Sequence, residues 1–193
     1  DEYIYSIAYC KTRGISMDKI EIEKKASDTL ANISYDDTNE AVDVVEVAKK
    51  LGFAVGSAGL DEGVDGFIII QEGQKEILGI KTDKLIGVNA ANDLTWKRFT
   101  VAHEIGHYML HYNREQDHGM YAHREHAKGK DETENEADYF AANLLMPRDK
   151  FKTKYDELKG KGLSEEELIV LLADKFIVTQ PMVKRRFEEL DIA

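Results

Sequence analysis

Residues 103–107 of the sequence read HEIGH, and the two histidines of this stretch could bind one metal ion together. Side chains four residues apart on a helix lie about one turn apart on the same face, so His103 and His107 suit a tetrahedral Zn²⁺. Glu104 would lie beside the open position of the metal, where it can take a proton from an activated water. The motif therefore predicts a zinc-dependent hydrolase with Glu104 as catalytic base.

A catalytic zinc held by two histidines needs one more protein ligand and an open position for water. The metzincin motif would supply a third histidine at position 113, after a glycine at position 110. The sequence has Asn113 and Leu110 there, which excludes that class. The third ligand must then come from another segment.

Residues 134–138 read ENEAD and begin a predicted helix. Glu134 and Asp138 are four residues apart and share a face of that helix, whereas Glu136 is expected to point elsewhere. We predict Glu134 as the third ligand and Asp138 as the acceptor that orients a ligand histidine through its free ring nitrogen. Glu136 is the alternative ligand.

Two motifs resemble those of the ImmA/IrrE family of zinc metallopeptidases. Residues 98–111 read RFTVAHEIGHYMLH, and residues 134–147 read ENEADYFAANLLMP. The resemblance is strong over residues 85–147, looser over the neighbouring strands and the final helices, and does not extend to residues 1–35. One departure is Asp138, where the family more often has asparagine; both can accept a hydrogen bond from a ligand imidazole.

The resemblance implies a compact gluzincin-like fold and an endopeptidase that cleaves a specific transcriptional repressor with a helix-turn-helix. In such proteins cleavage relieves repression of mobile-element or stress-response genes. The resemblance also implies His103, His107 and Glu134 as ligands and Glu104 as the base. The expected cofactor is one zinc ion, with another divalent metal as the alternative, and the expected partner is a repressor encoded nearby.

The composition is that of an ordinary globular protein, with 42% hydrophobic and 33% charged residues in a chain of 193. No apolar run is long enough to cross a bilayer, so we expect no membrane partner. The single cysteine, Cys10, excludes an internal disulfide and fits a cytoplasmic location. A net charge of −11 repels polyanions, which disfavours nucleic acid as a partner.

The pattern of apolar residues predicts an α+β fold in which a small antiparallel sheet packs against helices. We expect residues 1–147 to contain the N-terminal helices, the sheet and the metallopeptidase core, and residues 148–193 to form a helical C-terminal subdomain of the same continuous domain. Helices are predicted over residues 16–33, 40–51, 92–111, 131–146, 164–176 and 179–190, and strands over residues 53–55, 64–70, 76–80 and 85–88. The last strand could be an edge strand that holds an extended peptide, or could simply cover the core.

Several further side chains could donate to an oxyanion or contact substrate, and the sequence does not rank them. They lie at the end of the motif helix or in residues 112–130, which read as a long loop beside the site: Tyr108, Tyr112, His118, Tyr121, His123 and His126. His111 lies two turns after His103 on the ligand face, where we expect a buried, hydrogen-bonded histidine or a contact with substrate.

The last two predicted helices loosely imitate a helix-turn-helix, with Lys184, Arg185 and Arg186 on the second. The acidic balance of the chain argues against DNA binding, so a helical lid or a docking surface for the repressor is the preferred interpretation. A second class of function also stands: a non-catalytic module that keeps the metal fold to bind a partner or sense metal. Glu104 favours the enzyme, because such a module needs no base there.

Overall fold

The computed structural model describes residues 17–36, 38–112, 119–124 and 132–192. These residues form an α+β fold, as expected, in which one mixed sheet packs against helices. The helices are α1 (Lys19–Asn32), α2 (Val44–Lys50), α3 (Leu94–Leu110), α4 (Glu132–Leu145), α5 (Arg148–Lys159), α6 (Glu165–Phe176) and α7 (Gln180–Glu189). The strands are β1 (Ala54–Ala58), β2 (Val64–Ile77), β3 (Ile80–Asn89) and β4 (Gly119–Arg124).

The four strands follow the order β1-β3-β2-β4. Strands β2 and β3 form a hairpin whose turn residues, Leu78 and Gly79, both have positive φ, at 50° and 74°. This turn lies within the predicted strand 76–80, so that prediction is wrong: the segment ends one strand and begins the next. A two-residue turn with positive φ at both positions matches the right-handed twist of the paired strands.

The sheet differs from the expected one in two respects. Strand β3 lies between β1 and β2, so β1 pairs in parallel with β3, while β2 pairs antiparallel with both β3 and β4. Residues 85–88 therefore belong to an inner strand, and the prediction of an edge strand there is wrong. In the strand order, β4 stands at the end of the sheet beyond β2. It lies within residues 112–130, which were predicted to be a loop.

Helix α3 carries the HEIGH motif and is capped at its start by Asp93, whose side chain accepts from the Trp96 backbone N–H at 2.8 Å. Asp65, the second residue of β2, accepts from the indole Nε1 of Trp96 and from the amide of Asn92, both at 2.7 Å. These bonds fix the first turn of α3 against the sheet. Since α4 packs on α3 from another side, every residue from 100 to 106 is buried.

The close packing of α3 on its neighbours depends on two glycines. A Cβ on Gly66 of β2 would lie 2.3 Å from the Thr100 methyl and 2.8 Å from the Gly87 carbonyl. A Cβ on Gly106 would lie 3.0 Å from the carbonyl oxygen of Ala137 in α4. Glycine thus allows α3 to lie against both β2 and α4.

Helices α5, α6 and α7 form an apolar group around Phe151. Its ring lies 5.3 Å from that of Phe176 and 6.0 Å from that of Phe187, and Tyr155 packs on Phe187 at 5.4 Å between centroids. Helix α5 lies between two predicted helices, in a segment for which the sequence predicted none. The six predicted helices are confirmed, with ends that differ by a few residues. Ser164 and Glu167 form a capping box at the start of α6.

Arg98 joins two other segments of the chain to α3. Its guanidinium donates to the carbonyl of Val42 at 2.8 Å and to those of Phe176 and Ile177 at 3.4 and 3.2 Å. The last two carbonyls are at the end of α6, where a cation is favoured by the helix dipole. One side chain thereby fixes the entry to α2 and the end of α6 against the motif helix.

Candidate metal centre

The two histidines of α3 converge as their spacing predicts. The Nε2 atoms of His103 and His107 lie 3.0 Å apart, and the rings meet edge to face with centroids 4.6 Å apart. Both residues are on the part of α3 that faces α4. The helix therefore presents two imidazole nitrogens to one point in the space between α3 and α4.

Glu134 in the first turn of α4 completes the group. Its Oε2 lies 3.3 Å from His103 Nε2, and its Oε1 lies 3.4 Å from His107 Nε2. These three residues could hold a metal ion. Zinc bonds of about 2.0–2.1 Å in tetrahedral geometry separate neighbouring ligand atoms by about 3.3–3.4 Å. The two distances from Glu134 match this spacing and the distance between the two histidine nitrogens, 3.0 Å, is close to it, so the donors present suit the ion.

Asp138 supports the first histidine from one turn further along α4. Its Oδ1 lies 3.0 Å from His103 Nδ1, the nitrogen that faces away from Glu134. Burial of the His103 ring disfavours its charged form, but the hydrogen bonds to Asp138 and Glu134 and the charge of Glu104 raise its pKa to about 10. The site thus attracts a positive charge to the position where the ligand nitrogens meet.

Glu136 does not point away from the site, contrary to the expectation. Its Oε2 lies 2.8 Å from His111 Nε2, and the Nδ1 of His111 lies 3.3 Å from the Nδ1 of His107. Glu136 also accepts a hydrogen bond from the backbone N–H of Met17, just before α1. The face of α4 that carries Glu136 is covered by α1 and the end of α3. The spacing of residues along α4 alone does not show which other segments cover that face.

Glu104 is completely buried, between the metal-binding face of α3 and strand β2. Its Oε1 lies 3.5 Å from the point where a Cβ on Gly66 would stand. A side chain at position 66 would therefore enter the space beside the carboxylate. Gly66 was not recognised as part of the site, because its only sequence signal was a glycine inside a strand.

The remaining candidates divide into three groups. Tyr108 accepts a hydrogen bond from Lys84 Nζ at 2.9 Å and packs on Phe53, and Tyr112 stacks on Tyr108, so this pair is engaged with the sheet side of α3. Lys84 was not recognised as a partner in the sequence. His118 and His126 lie outside the described residues. Tyr121 and His123 belong to β4, whose backbone pairs Tyr121 with Ile68 and His123 with Gly66.

The three basic residues of α7 differ in burial and in pairing. Arg186 is completely buried and lies 3.2 Å from Glu189, and Arg185 also pairs with Glu189. Lys184 is exposed, and among the described residues no ion pair is found for it. Two of the three positive charges are therefore paired with Glu189 on the same helix.

None of the described helices is both long and apolar enough to span a bilayer. A comparison with curated proteins gives no significant match. The family profile described as the IrrE N-terminal-like domain, peptidase M78, matches residues 66–188, which include every residue from Gly66 to Asp138 discussed above. This range is more than half of the chain, and the chain therefore belongs to the IrrE N-terminal-like family of peptidases.

Proposed function

We propose that the protein is a zinc-dependent endopeptidase that cuts a specific transcriptional regulator, a helix-turn-helix repressor, and so relieves repression in a mobile-element or stress response. The observation that carries the proposal is the position of Glu104. It is buried next to three converging donors, His103, His107 and Glu134, whose separations of 3.0 to 3.4 Å fit a tetrahedral ion. A fold that only bound metal would not need this carboxylate.

The roles of the residues follow from their chemistry. His103, His107 and Glu134 would hold the zinc, which when bound polarises a scissile carbonyl and lowers the pKa of a water. Glu104 would take the proton from that water at its carboxylate and pass it to the leaving amine. Its burial excludes bulk water, which strengthens the electrostatic interactions that assist this transfer.

Specificity for one regulator would come from the surface around the centre. Strand β4 is next to β2, the strand that holds Gly66 against Glu104. A substrate segment in extended conformation could add to this end of the sheet by main-chain hydrogen bonds. The single cysteine fits a reducing compartment, and we place this reaction in the cytoplasm.

A non-catalytic metal-binding regulator is the alternative function, and Glu104→Gln separates the two. We expect the purified wild-type chain to contain one zinc ion and to cut the helix-turn-helix regulator encoded beside it, with fragments identified by mass spectrometry. Glu104→Gln should keep the zinc and lose cleavage by roughly 10²- to 10⁴-fold, the usual contribution of a general base. Glu188→Gln, an exposed change of the same chemistry, is the matched control.

Two results would reject the peptidase. One is wild-type protein with stoichiometric zinc that leaves that regulator and all other cellular regulators intact. The other is cleavage that persists unchanged in Glu104→Gln. If zinc-loaded protein instead binds the regulator without cutting it, the regulatory module is the correct function.

A further inference from the structure

The Nδ1 atoms of the two ligand histidines, His103 and His107, contact different groups. His103 contacts the carboxylate of Asp138 directly at 3.0 Å. The Nδ1 of His107 instead faces the Nδ1 of His111 at 3.3 Å. His111 in turn contacts Glu136 at 2.8 Å, so this series of contacts connects His107 to a carboxylate through a second imidazole.

The identity of the contacting atoms fixes where the protons must be. A histidine that binds metal through Nε2 carries its proton on Nδ1, so His107 must donate to His111. The Nδ1 of His111 is then an acceptor, and its proton lies on Nε2, where it is donated to Glu136. The hydrogen bonds run in one direction, from the ligand ring to the carboxylate.

The position of Glu136 can fix the direction of these two hydrogen bonds. Its side chain is only 10% exposed, and that of His111 only 11%. One carboxylate oxygen accepts from His111, and the other accepts from the backbone N–H of Met17. Since both of these partners are donors, the side chain must offer two acceptors, which a carboxylate does and an amide does not.

We propose that His111 and Glu136 are positioning residues that set the tautomer and orientation of the ligand His107, as Asp138 does for His103. This inference rests on the proposed zinc-binding function. Glu136 would then orient a metal ligand, whereas the sequence suggested it as an alternative metal ligand itself. The entry to α1 also becomes part of the metal centre, because Met17 holds the outer end of the hydrogen-bond series.

The isosteric change Glu136→Gln tests the series with little change in packing. The amide offers only one oxygen, so either Met17 or His111 would face a donor. If His111 reversed its tautomer to accept from the amide, its Nδ1 proton would oppose the Nδ1 proton of His107. We therefore expect zinc to dissociate about 10- to 100-fold faster from Glu136→Gln, the range typical for groups that orient metal ligands.

The companion variants separate positioning from packing. His111→Leu removes the acceptor for His107 and should also release zinc faster, whereas His111→Asn, which can place an acceptor oxygen near the former Nδ1, should recover part of the wild-type rate. Glu132→Gln, an exposed change on the same helix, should match wild type. A merely structural role for the Glu136–His111 pair would lower the melting temperature of the metal-free chain and leave the rate of zinc release unchanged.

The tautomers can be observed directly by NMR of zinc-loaded protein with ¹⁵N-labelled histidine. We expect a proton on Nδ1 of His107 and on Nε2 of His111. The inference is overturned if His111 carries its proton on Nδ1, or if Glu136→Gln and wild type release zinc at rates within about twofold, well below the effect expected for an orienting group. Zinc-loaded wild type that shows these tautomers but cuts no regulator supports the positioning role and rejects the peptidase.

Discussion

The crossing of α3 and α4 and the packing of α5 to α7 are two buried regions with opposite chemistry. The first contains the ionisable residues His103, Glu136 and Asp138, and Glu104 borders it on the side of β2. As whole residues, all four are at most 8% exposed. The second is built on Phe151, Phe176 and Phe187, with ring centroids 5.3 and 6.0 Å apart, and its buried charge, Arg186, is paired with Glu189.

The difference indicates which region depends on a bound ion. Burial of apolar rings stabilises the fold whether or not metal is present. Several carboxylates and imidazoles in a small buried volume are costly unless protons or a cation balance them. We therefore expect the packing of the C-terminal helices to raise the free energy of unfolding with or without metal. The buried ionisable groups at the α3–α4 crossing should lower it in the metal-free chain, and zinc should restore it.

The largest expected effect is on the apolar region. Phe151→Ala should lower the free energy of unfolding by about 3–5 kcal/mol, because it removes a completely buried ring and leaves a cavity. Urea denaturation of metal-free protein measures this loss. The zinc affinity of the folded variant should match wild type, since Phe151 contacts other aromatic rings; a large change in affinity would show that the two regions are coupled.

Zinc should stabilise wild type through Glu134. At a free zinc concentration about 100 times the Kd, the free energy of unfolding should rise by about 2.7 kcal/mol. Glu134→Ala removes a ligand and should show almost none of this gain at the same concentration, as measured by thermal or urea denaturation. Equal stabilisation of both proteins would mean that zinc binds elsewhere.

The stability of the two regions should also respond differently to pH. The pKa of His103 is about 10 in the folded metal-free chain and 6.5 as its ordinary value, so between these values the folded state holds the extra proton. Its contribution is complete below pH 6.5 and is lost as pH rises through 10, at about 1.4 kcal/mol per pH unit in between. Denaturation of metal-free protein at pH 7, 8 and 9 measures the slope.

Zinc-loaded protein supplies the control for this slope, because the metal replaces the proton on His103. Its stability should not fall through His103 above pH 6.5, and below that value it should fall as the unfolded histidines take up protons. The assignment fails if metal-free and zinc-loaded proteins have the same slope between pH 7 and 9.

The smallest expected effect concerns the distance between α3 and α4. Gly106→Ala gains about 1 kcal/mol of helix propensity but adds a methyl 3.0 Å from the Ala137 carbonyl, with an overpacking cost of about 1–3 kcal/mol. The net loss of stability should be roughly 0–2 kcal/mol. Zinc affinity should fall, because the shift moves Glu134 away from the histidines; Gly160→Ala, at the end of α5, is the control for the helix effect.

The centre was predictable because its parts are local in the sequence. His103 and His107 are one turn apart, and Glu134 and Asp138 are one turn apart, so two helices that pack together suffice to assemble them. The role of Glu136 was not predictable from α4 alone, because its direction is decided by Met17 and His111 on two other segments. Partners that come from separate segments leave no signal in the spacing of one helix.

Two elements of the fold were missed for different reasons. Helix α5 has buried apolar residues at helical spacing, Phe151, Tyr155 and Leu158, but the charged residues between them obscured the pattern. Strand β4 has no strong strand pattern of its own and is defined by pairing with β2, more than 40 residues earlier in the sequence. The inner position of β3 likewise depends on strand order, which local patterns do not fix.

The contacts of Arg98 have a consequence for biosynthesis. A chain that grows from its amino end has all of its proposed zinc ligands once residue 134 is made. The guanidinium of Arg98 obtains its last two acceptors only when residues 176 and 177 have folded back onto α3. The ribosome must therefore release some 40 residues beyond Glu134 before Arg98 can hold α3 against both the entry to α2 and the end of α6.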